Sequence, residues 1–377
     1  MNEILVPEPE IIIAGQICAD IILNFRPGTS DLASLVKPGR CVLVEDSMIT
    51  TGGAVSNTGL ALNQLGVPAK LMGKIGSDAI GQSLCALLEK GAKGLSGHLI
   101  IKDDQVTSYA VVLNPPGVDR SFLYVPGANN FFSPAEVGQA DMTGSRFFHL
   151  GYPSEMRLFY QDTGAACRNL LSQVRMQGLT TSVDMALPDV DSEAGRVDWK
   201  RWLHFVLPEV DMFLPSVDEL FFMLLPNDFD SMESSRLNRE SIEALASQTI
   251  AMGAAMVLIK LGEQGLYFQS TDQLTRLLQM GLGQPADVGA WLGQRIWCPS
   301  FKVKVAGTTG AGDCAAAGFL AGVCKGLNPK DAVTMAAAAG ASGCEKADAS
   351  SGVPHWEILQ HRIDQGWERN DSLSKTI

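Results

Sequence analysis

The segment Gly307-Thr308-Thr309-Gly310-Ala311-Gly312-Asp313 joins the parts of an anion-binding turn to a proton acceptor. Glycines at 310 and 312 let the backbone turn sharply and aim successive N–H groups at one point, and a helix opening there adds the positive end of its dipole. A carboxylate in the same turn repels the anion, so Asp313 needs another task. Beside a phosphate nest it can take the proton from an attacking hydroxyl. An ordinary aspartate, with a pKa of about 3.9, is ionised at neutral pH. By itself the string also fits a helix-capping aspartate with glycines that only shape a loop. A second constellation, Gly52-Gly53-Ala54-Val55-Ser56-Asn57, places a glycine pair before a helix, where backbone can approach a ligand closely. Asn57 offers a donor and an acceptor to hydroxyl groups, although a turn with a structural amide would read the same.

The small-residue run Cys314-Ala315-Ala316-Ala317-Gly318-Phe319-Leu320 reads as the helix that carries the anion turn, and Phe301 to Val305 as the strand leading into it. Strand-length apolar runs recur along the chain: Ile11 to Gly15, Ala69 to Gly73, Phe147 to Gly151, Thr181 to Asp184, Met212 to Pro215 and Met256 to Ile259. Such continuous runs are buried on both faces, so a largely parallel, doubly wound sheet is expected. Helices are expected at 54–65, 79–90, 158–177, 198–207, 240–252, 311–325 and 330–346, the last announced by Asn328-Pro329. Two stretches, 17–51 and 105–127, break this rhythm. Cys41-Val42-Leu43-Val44-Glu45 and the pair Ser108 to Leu113 and Ser121 to Val125, joined through Asn114-Pro115-Pro116-Gly117, read as a separate antiparallel lid. Residues 226–240 and 270–295 read as surface insertions. No internal repeat is present.

Hydrophobic residues form 46% of the 377-residue chain and charged residues 19%, enough for a large core and too apolar for disorder over most of the length. A formal net charge of -12 repels nucleic acid and anionic membranes, so an anionic substrate must be held by local dipoles, cations or a few basic groups. The start Met1-Asn2-Glu3-Ile4-Leu5-Val6-Pro7 lacks the pattern of a signal peptide and no apolar run reaches membrane-span length, so a cytoplasmic protein is expected. The eight cysteines form no C-x-x-C pair and the five histidines no H-E-x-x-H pattern, so neither disulfides nor a protein-held transition metal are expected.

Thr308-Thr309-Gly310-Ala311-Gly312-Asp313, followed after Cys314 by Ala315-Ala316-Ala317-Gly318-Phe319-Leu320-Ala321-Gly322, resembles the C-terminal signature of the PfkB, or ribokinase-like, sugar kinase family. Gly52 to Gly66 is similar to that family's N-terminal signature, and Gly73-Lys74-Ile75-Gly76-Ser77-Asp78-Ala79-Ile80-Gly81 to the segment after it. The likeness runs from about residue 10 to residue 357 in the family's order. It implies a single α/β ribokinase-like domain, three layers deep, with a β lid that closes over a sugar and often forms a dimer contact. It also implies ATP and Mg2+, with Asp313 as general base and Gly310, Ala311 and Gly312 as its anion hole. Asp20, Gly52, Gly53 and Asn57 would bind the substrate, and an Asp20 carboxylate suits a vicinal diol. Gly262 and Gly265 of Lys260-Leu261-Gly262-Glu263-Gln264-Gly265, with Thr308 and Thr309, would face the nucleotide. Glu219 of Ser216-Val217-Asp218-Glu219 would organise the water shell of Mg2+.

Two positions depart from the family pattern. Gly307 stands where the family usually has an aspartate that helps hold a monovalent cation, so weak or absent potassium activation is expected. Ser216 replaces the asparagine of Asn-x-x-Glu. His149 reads as a packed structural histidine and Arg120 as a solvated lid residue. The stretches flanking Gly52 and Gly53 (residues 46–51 and 54–64) carry no Lys or Arg, which favours an unphosphorylated sugar or sugar acid over a sugar phosphate. A nucleoside is the alternative, with Tyr109, Phe122 or Tyr124 as an aromatic slot. A non-catalytic sugar or nucleotide sensor is a second rival. A dinucleotide oxidoreductase fits less well, because the first strand leads into Gly15-Gln16-Ile17-Cys18-Ala19-Asp20 and not G-x-G-x-x-G.

Overall fold

The computed structural model describes residues 10–26, 38–39, 41–115, 120–138, 142–226 and 238–370. Residues 227–237 of the expected insertion at 226–240, and the turn residues Pro116-Gly117, lie outside the described residues. In chain order the strands are β1 (Ile11–Gly15), β2 (Cys18–Asn24), β3 (Asp46–Gly52), β4 (Ala69–Met72), β5 (Lys74–Gly76), β6 (Ile100–Lys102) and β7 (Tyr109–Asn114). They continue as β8 (Ser121–Val125), β9 (Phe147–Gly151), β10 (Thr180–Asp184), β11 (Met212–Phe213), β12 (Met256–Lys260), β13 (Leu266–Ser270) and β14 (Arg295–Cys298).

Every residue of β1, β9, β10 and β12 is buried, as the apolar runs of β1, β9 and β12 require, while β10 carries the polar sequence Thr-Thr-Ser-Val-Asp into the same interior. They form the middle of an eight-stranded sheet in the order β14-β13-β12-β11-β10-β9-β1-β4. Pairing is parallel from β4 to β12, and β13 and β14 continue it antiparallel. One apolar cluster, rich in alanine, packs the helices Gly53–Gln64, Ala311–Cys324 and Pro329–Gly343 on one face; the other packs Ala165–Met176 and Trp199–Val206 on the opposite face. Small residues let these helices approach closely: a Cβ at Gly318 would lie 2.7 Å from the Ala339 Cβ. The α/β ribokinase-like expectation therefore holds.

The lid is a second sheet in the order β3-β2-β7-β8. It is mixed, not purely antiparallel, because β2 and β7 run parallel. Its own core is thin, with Ile22, Ala110 and Val112 buried.

Four element expectations need correction. Cys41 to Val44 is irregular, and the strand is β3, whose pairing from Cys18↔Gly52 to Asn24↔Asp46 is set by the length of β2. The helix expected at 158–177 splits into Arg157–Tyr160 and Ala165–Met176, separated by positive φ at Asp162, Thr163 and Gly164. Gly164 packs against Trp202 at this break, where a Cβ would come within 2.3 Å of the Trp202 Nε1. Phe301 to Val305 is not a strand: Phe301 alone bridges Arg369, and no neighbouring strand extends the pairing. The stretch 270–295 is no mere surface insertion, because Leu277, Met280 and Trp291 enter the core. Arg276 fastens it to the sheet, reaching Asp211 Oδ1 at 2.7 Å and the Val210 carbonyl at 2.8 Å.

Candidate active site

Neighbouring strands β1 and β9 are the point from which the chain winds outward in both directions, β4 on one side and β10 on the other. Ligands of open α/β sheets bind at such switch points, beyond the carboxyl ends of the strands. Here the two ends are pressed together. Gln16 N–H donates to the Gly151 carbonyl at 3.1 Å, and a Cβ at Gly15 would lie 2.2 Å from that oxygen. The helix Gly53–Gln64 is hung on the same corner by Val55 N–H, which donates to the Gln16 carbonyl at 3.1 Å.

Asp313 reaches this corner from the far end of the sequence. The helix Ala311–Cys324 opens after Gly310, whose φ of 69° and 2.5 Å clearance from the Ala349 carbonyl exclude a side chain. Ala311 N–H is drawn to the Thr308 carbonyl at 3.3 Å, so it is not a free donor of the expected anion hole. The N–H groups of Gly312 and Asp313 have no backbone acceptor among the described residues, as at any helix start. The Asp313 side chain is 1% exposed. Its Oδ2 accepts from Asn57 Nδ2 at 2.9 Å, and its Oδ1 from the Tyr152 hydroxyl at 2.7 Å. Thr58 Oγ1 stands 3.5 Å from Oδ1. Burial pushes the Asp313 carboxyl above the usual range, while the Asn57 amide, the Lys260 ammonium and the Tyr152 and Thr58 hydroxyls pull against that rise. The two sequence signatures thus meet at Asp313, through a short bond from Asn57 and a long one from Thr58.

Asp20 also lies at this corner. It is 4% exposed, and its carboxylate covers Gly52, where a Cβ would fall 2.3 Å from Oδ1. Burial raises it to about 6. Gly53, at a φ of 84°, gives the same freedom to Gln16, whose Oε1 would be 2.1 Å from a Cβ there. Gln16 Nε2 and Asn129 Nδ2 both donate to the Tyr124 hydroxyl of the lid, at 3.1 and 3.2 Å. Gln16 Oε1 and Asn57 Oδ1 are buried acceptors with no donor among the described residues, so each has capacity for a substrate hydroxyl.

Glu219 serves first as part of a capping box. Ser216 Oγ accepts from Glu219 N–H at 3.2 Å, and Glu219 Oε2 accepts from Ser216 N–H at 2.6 Å. This explains how serine replaces asparagine: it caps the helix Val217–Leu224 equally well. The box engages Glu219 Oε2 through the Ser216 N–H; burial raises the same carboxyl, and the Lys260 ammonium pulls it down. No group of three or more His, Cys, Asp or Glu able to hold a metal occurs among the described residues.

The expected nucleotide residues lie in two loops. Gly262 and Gly265 form the β12–β13 turn. A Cβ at Gly265 would strike the Cys298 carbonyl at 2.1 Å, so that glycine is required by packing, whereas Gly262 faces open space. Thr308 is exposed and Thr309 half-buried, and their hydroxyls make no hydrogen bond among the described residues. His149 is fully buried with Nδ1 3.0 Å from Ser182 Oγ, and burial pushes it down to about 3, a neutral structural histidine. Arg120 is not simply solvated: it lies over the Phe122 ring at 5.7 Å and pulls down the Asp20 carboxyl. Sequence reasoning missed Tyr152, Gln16 and Asp184. Each ends or directly follows a buried strand on the crevice side, a positional signal that needs the strand order to be read.

A switch-point crevice under a mixed β lid, with an aspartate in an anion turn, defines an α/β phosphotransferase acting on a hydroxyl. The pfkB family carbohydrate kinase profile matches residues 29–356, and the chain belongs to that family. It is an ATP-dependent carbohydrate kinase of the PfkB family. A sugar kinase of Archaeoglobus fulgidus is 25% identical over 295 residues, covering 78% of this chain and 98% of its own. Fructokinase-2 of Solanum lycopersicum is 23% identical over 298 residues, covering 78% and 76%. The fold is also that of a putative ribokinase II of E. coli solved with ATP and Mg2+, with a TM-score of 0.66 at 19% identity over 95% of this chain and 99% of that one.

Proposed function

We propose that this kinase phosphorylates a hydroxyl of a small unphosphorylated sugar, or of a sugar acid, with Asp313 as general base. The observation that carries the reading is the buried Asp313 carboxylate at the head of the anion helix, joined to Asn57 of the glycine-pair helix. A carboxylate so placed accepts a hydroxyl proton at Oδ2, which has one protein donor and a lone pair to spare. The Gly312 and Asp313 N–H groups are then positioned to stabilise charge on the transferring phosphoryl. ATP supplies that phosphoryl, and Glu219 would hold its hydrated Mg2+, which would offset charge on the phosphates. Asp20, Asn57 and Gln16 orient the hydroxyls of the sugar. The lid excludes water, through Tyr124, and so suppresses ATP hydrolysis. Ile49, Phe122 and Leu123 are exposed on the lid and offer a surface for a second copy of the chain.

An ADP-release assay over neutral sugars, sugar acids and nucleosides tests the substrate class. With the best substrate, Asp313→Asn lowers turnover on the order of 10^2 to 10^4-fold and leaves ATP binding intact. Near-normal turnover in that variant overturns the base assignment. Binding of ATP and sugar without ADP formation by the native protein points instead to a sensor.

A further inference from the structure

Beneath the anion turn lies a lysine with no part in the reaction as described so far. Lys260 ends β12 and is 9% exposed. Its ammonium donates to both oxygens of Asp184, at 2.6 and 2.7 Å, and Asp184 is fully buried at the end of β10. The same nitrogen lies 3.4 Å from the point a Cβ on Gly312 would occupy, with Cδ and Cε at 3.5 and 3.6 Å. A Cβ at 312 would therefore be in van der Waals contact with the lysine, which lies against the first turn of the Asp313 helix. Backbone bonds hold the lysine in place: Lys260 N–H donates to the Pro215 carbonyl at 2.9 Å, and the residue bridges Ser216.

A buried ion pair is a poor device for stability alone, because desolvation offsets most of its Coulomb gain. The surrounding charges suggest a better reason. Asp184 from β10, Glu219 from the helix after β11 and Asp313 all lie within Coulomb reach of the lysine. Each of the three carboxyls is buried, and burial drives all of them toward the protonated form. Asp20 from β2 adds a further negative group facing Asp313, and Tyr152 and Cys314 are neutral neighbours on the other sides. His149, beyond the lysine, is neutral, and Arg120 of the lid acts on Asp20. Lys260 is the ammonium that opposes protonation of Asp313 from within this group.

We propose that Lys260 is a positioning residue for catalysis: seated on Asp184 and against Gly312, it keeps Asp313 ionised and thereby sets the acid limb of the kinase's pH–rate profile. This rests on Asp313 being the base. The test is the pH dependence of kcat/KM for the native enzyme and for Lys260→Met, Lys260→Arg, Asp184→Asn and the double variant Lys260→Met with Asp184→Asn. The double variant removes the pair without stranding a buried charge, so it covers the case in which Lys260→Met does not fold. Loss of the lysine moves the acid limb upward by about one pH unit or more and spares the alkaline plateau, while Lys260→Arg keeps the native limb. A folded Lys260→Met variant whose acid limb matches the native one, or a double variant whose limb matches that of Asp184→Asn alone, overturns the proposal, whatever its overall rate. Asp313→Asn separates the two ideas, because normal turnover there removes the base assignment itself.

Discussion

Tyr152 donates its phenolic hydrogen to Asp313 Oδ1 at 2.7 Å from a backbone held at φ 58°, ψ 53°. A bulky residue pays about 1–3 kcal/mol to occupy that left-handed region, so the surrounding contacts must fix it there. Gly151 before it and the bond from Tyr152 N–H to the Asp184 carbonyl, at 3.0 Å, do so. The strain places a hydroxyl on the base without a flexible loop. Hydrogen bonds to charged groups contribute about 1.5–3 kcal/mol. Tyr152→Phe is therefore expected to lower kcat/KM on the order of 10-fold and to raise the pH of the acid limb, because the hydroxyl favours the ionised carboxylate. A pH–rate series on a variant of native melting temperature checks this; an unchanged profile removes Tyr152 from the site.

Gly52 and Asp20 supply the next expectation. A Cβ at residue 52 would fall 2.3 to 2.6 Å from the Asp20 carboxylate atoms, so Gly52→Ala must turn that carboxylate away. Misplacing a substrate-orienting group by about 1 Å can cost on the order of 10^2-fold. The sugar KM should rise steeply while the ATP KM stays near its native value. Equal changes in both constants would indicate general damage to the fold instead.

Much of this site is visible in the chain itself because its parts are local. The Gly310 to Asp313 turn, the Gly52-Gly53 pair and the unbroken strands β1, β9 and β12 each follow from short-range chemistry, and the structure keeps them where the spacing puts them. What the chain hides is non-local. Lys260 reads as the start of an ordinary hairpin until β12 is placed two strands from β10, which brings its ammonium to Asp184. Ser216 reads as a lost amide until the capping box shows that Glu219 closes it. The stretch 270–295 looks irregular because Gly and Gln interrupt its apolar positions, yet Leu277, Met280 and Trp291 find the core through turns that no period announces.

Gly307 bears on the cation question. A Cβ there would sit 3.1 Å from the Lys346 carbonyl and 3.2 Å from that of Ala347, so the residue is tightly enclosed and offers no side-chain oxygen. Turnover is expected to be the same in potassium and sodium chloride at equal ionic strength. Selective and strong stimulation by potassium would show that backbone carbonyls alone suffice for a cation site.

Glu155 sets a final expectation, for stability. Its N–H donates to the Tyr152 carbonyl at 3.0 Å, and its carboxyl is raised from 4.5 to about 7 by burial and by the nearby Asp189. A carboxyl with a folded pKa above its unfolded value binds its proton more tightly in the native state. Its contribution is therefore full below the unfolded pKa and is lost as pH rises through about 7. Asp20, raised to about 6, works in the same direction over a lower window. The ligand-free protein should accordingly lose melting temperature between pH 5 and pH 8, in part through Glu155, which gives up about one proton on unfolding in that range. Glu155→Gln removes that part, so the melting curves of variant and native protein should diverge as pH rises, with the variant gaining relative stability. Parallel curves across the range would mean that Glu155 is ionised in the folded state throughout, and that the burial around Tyr152 is looser than the geometry indicates.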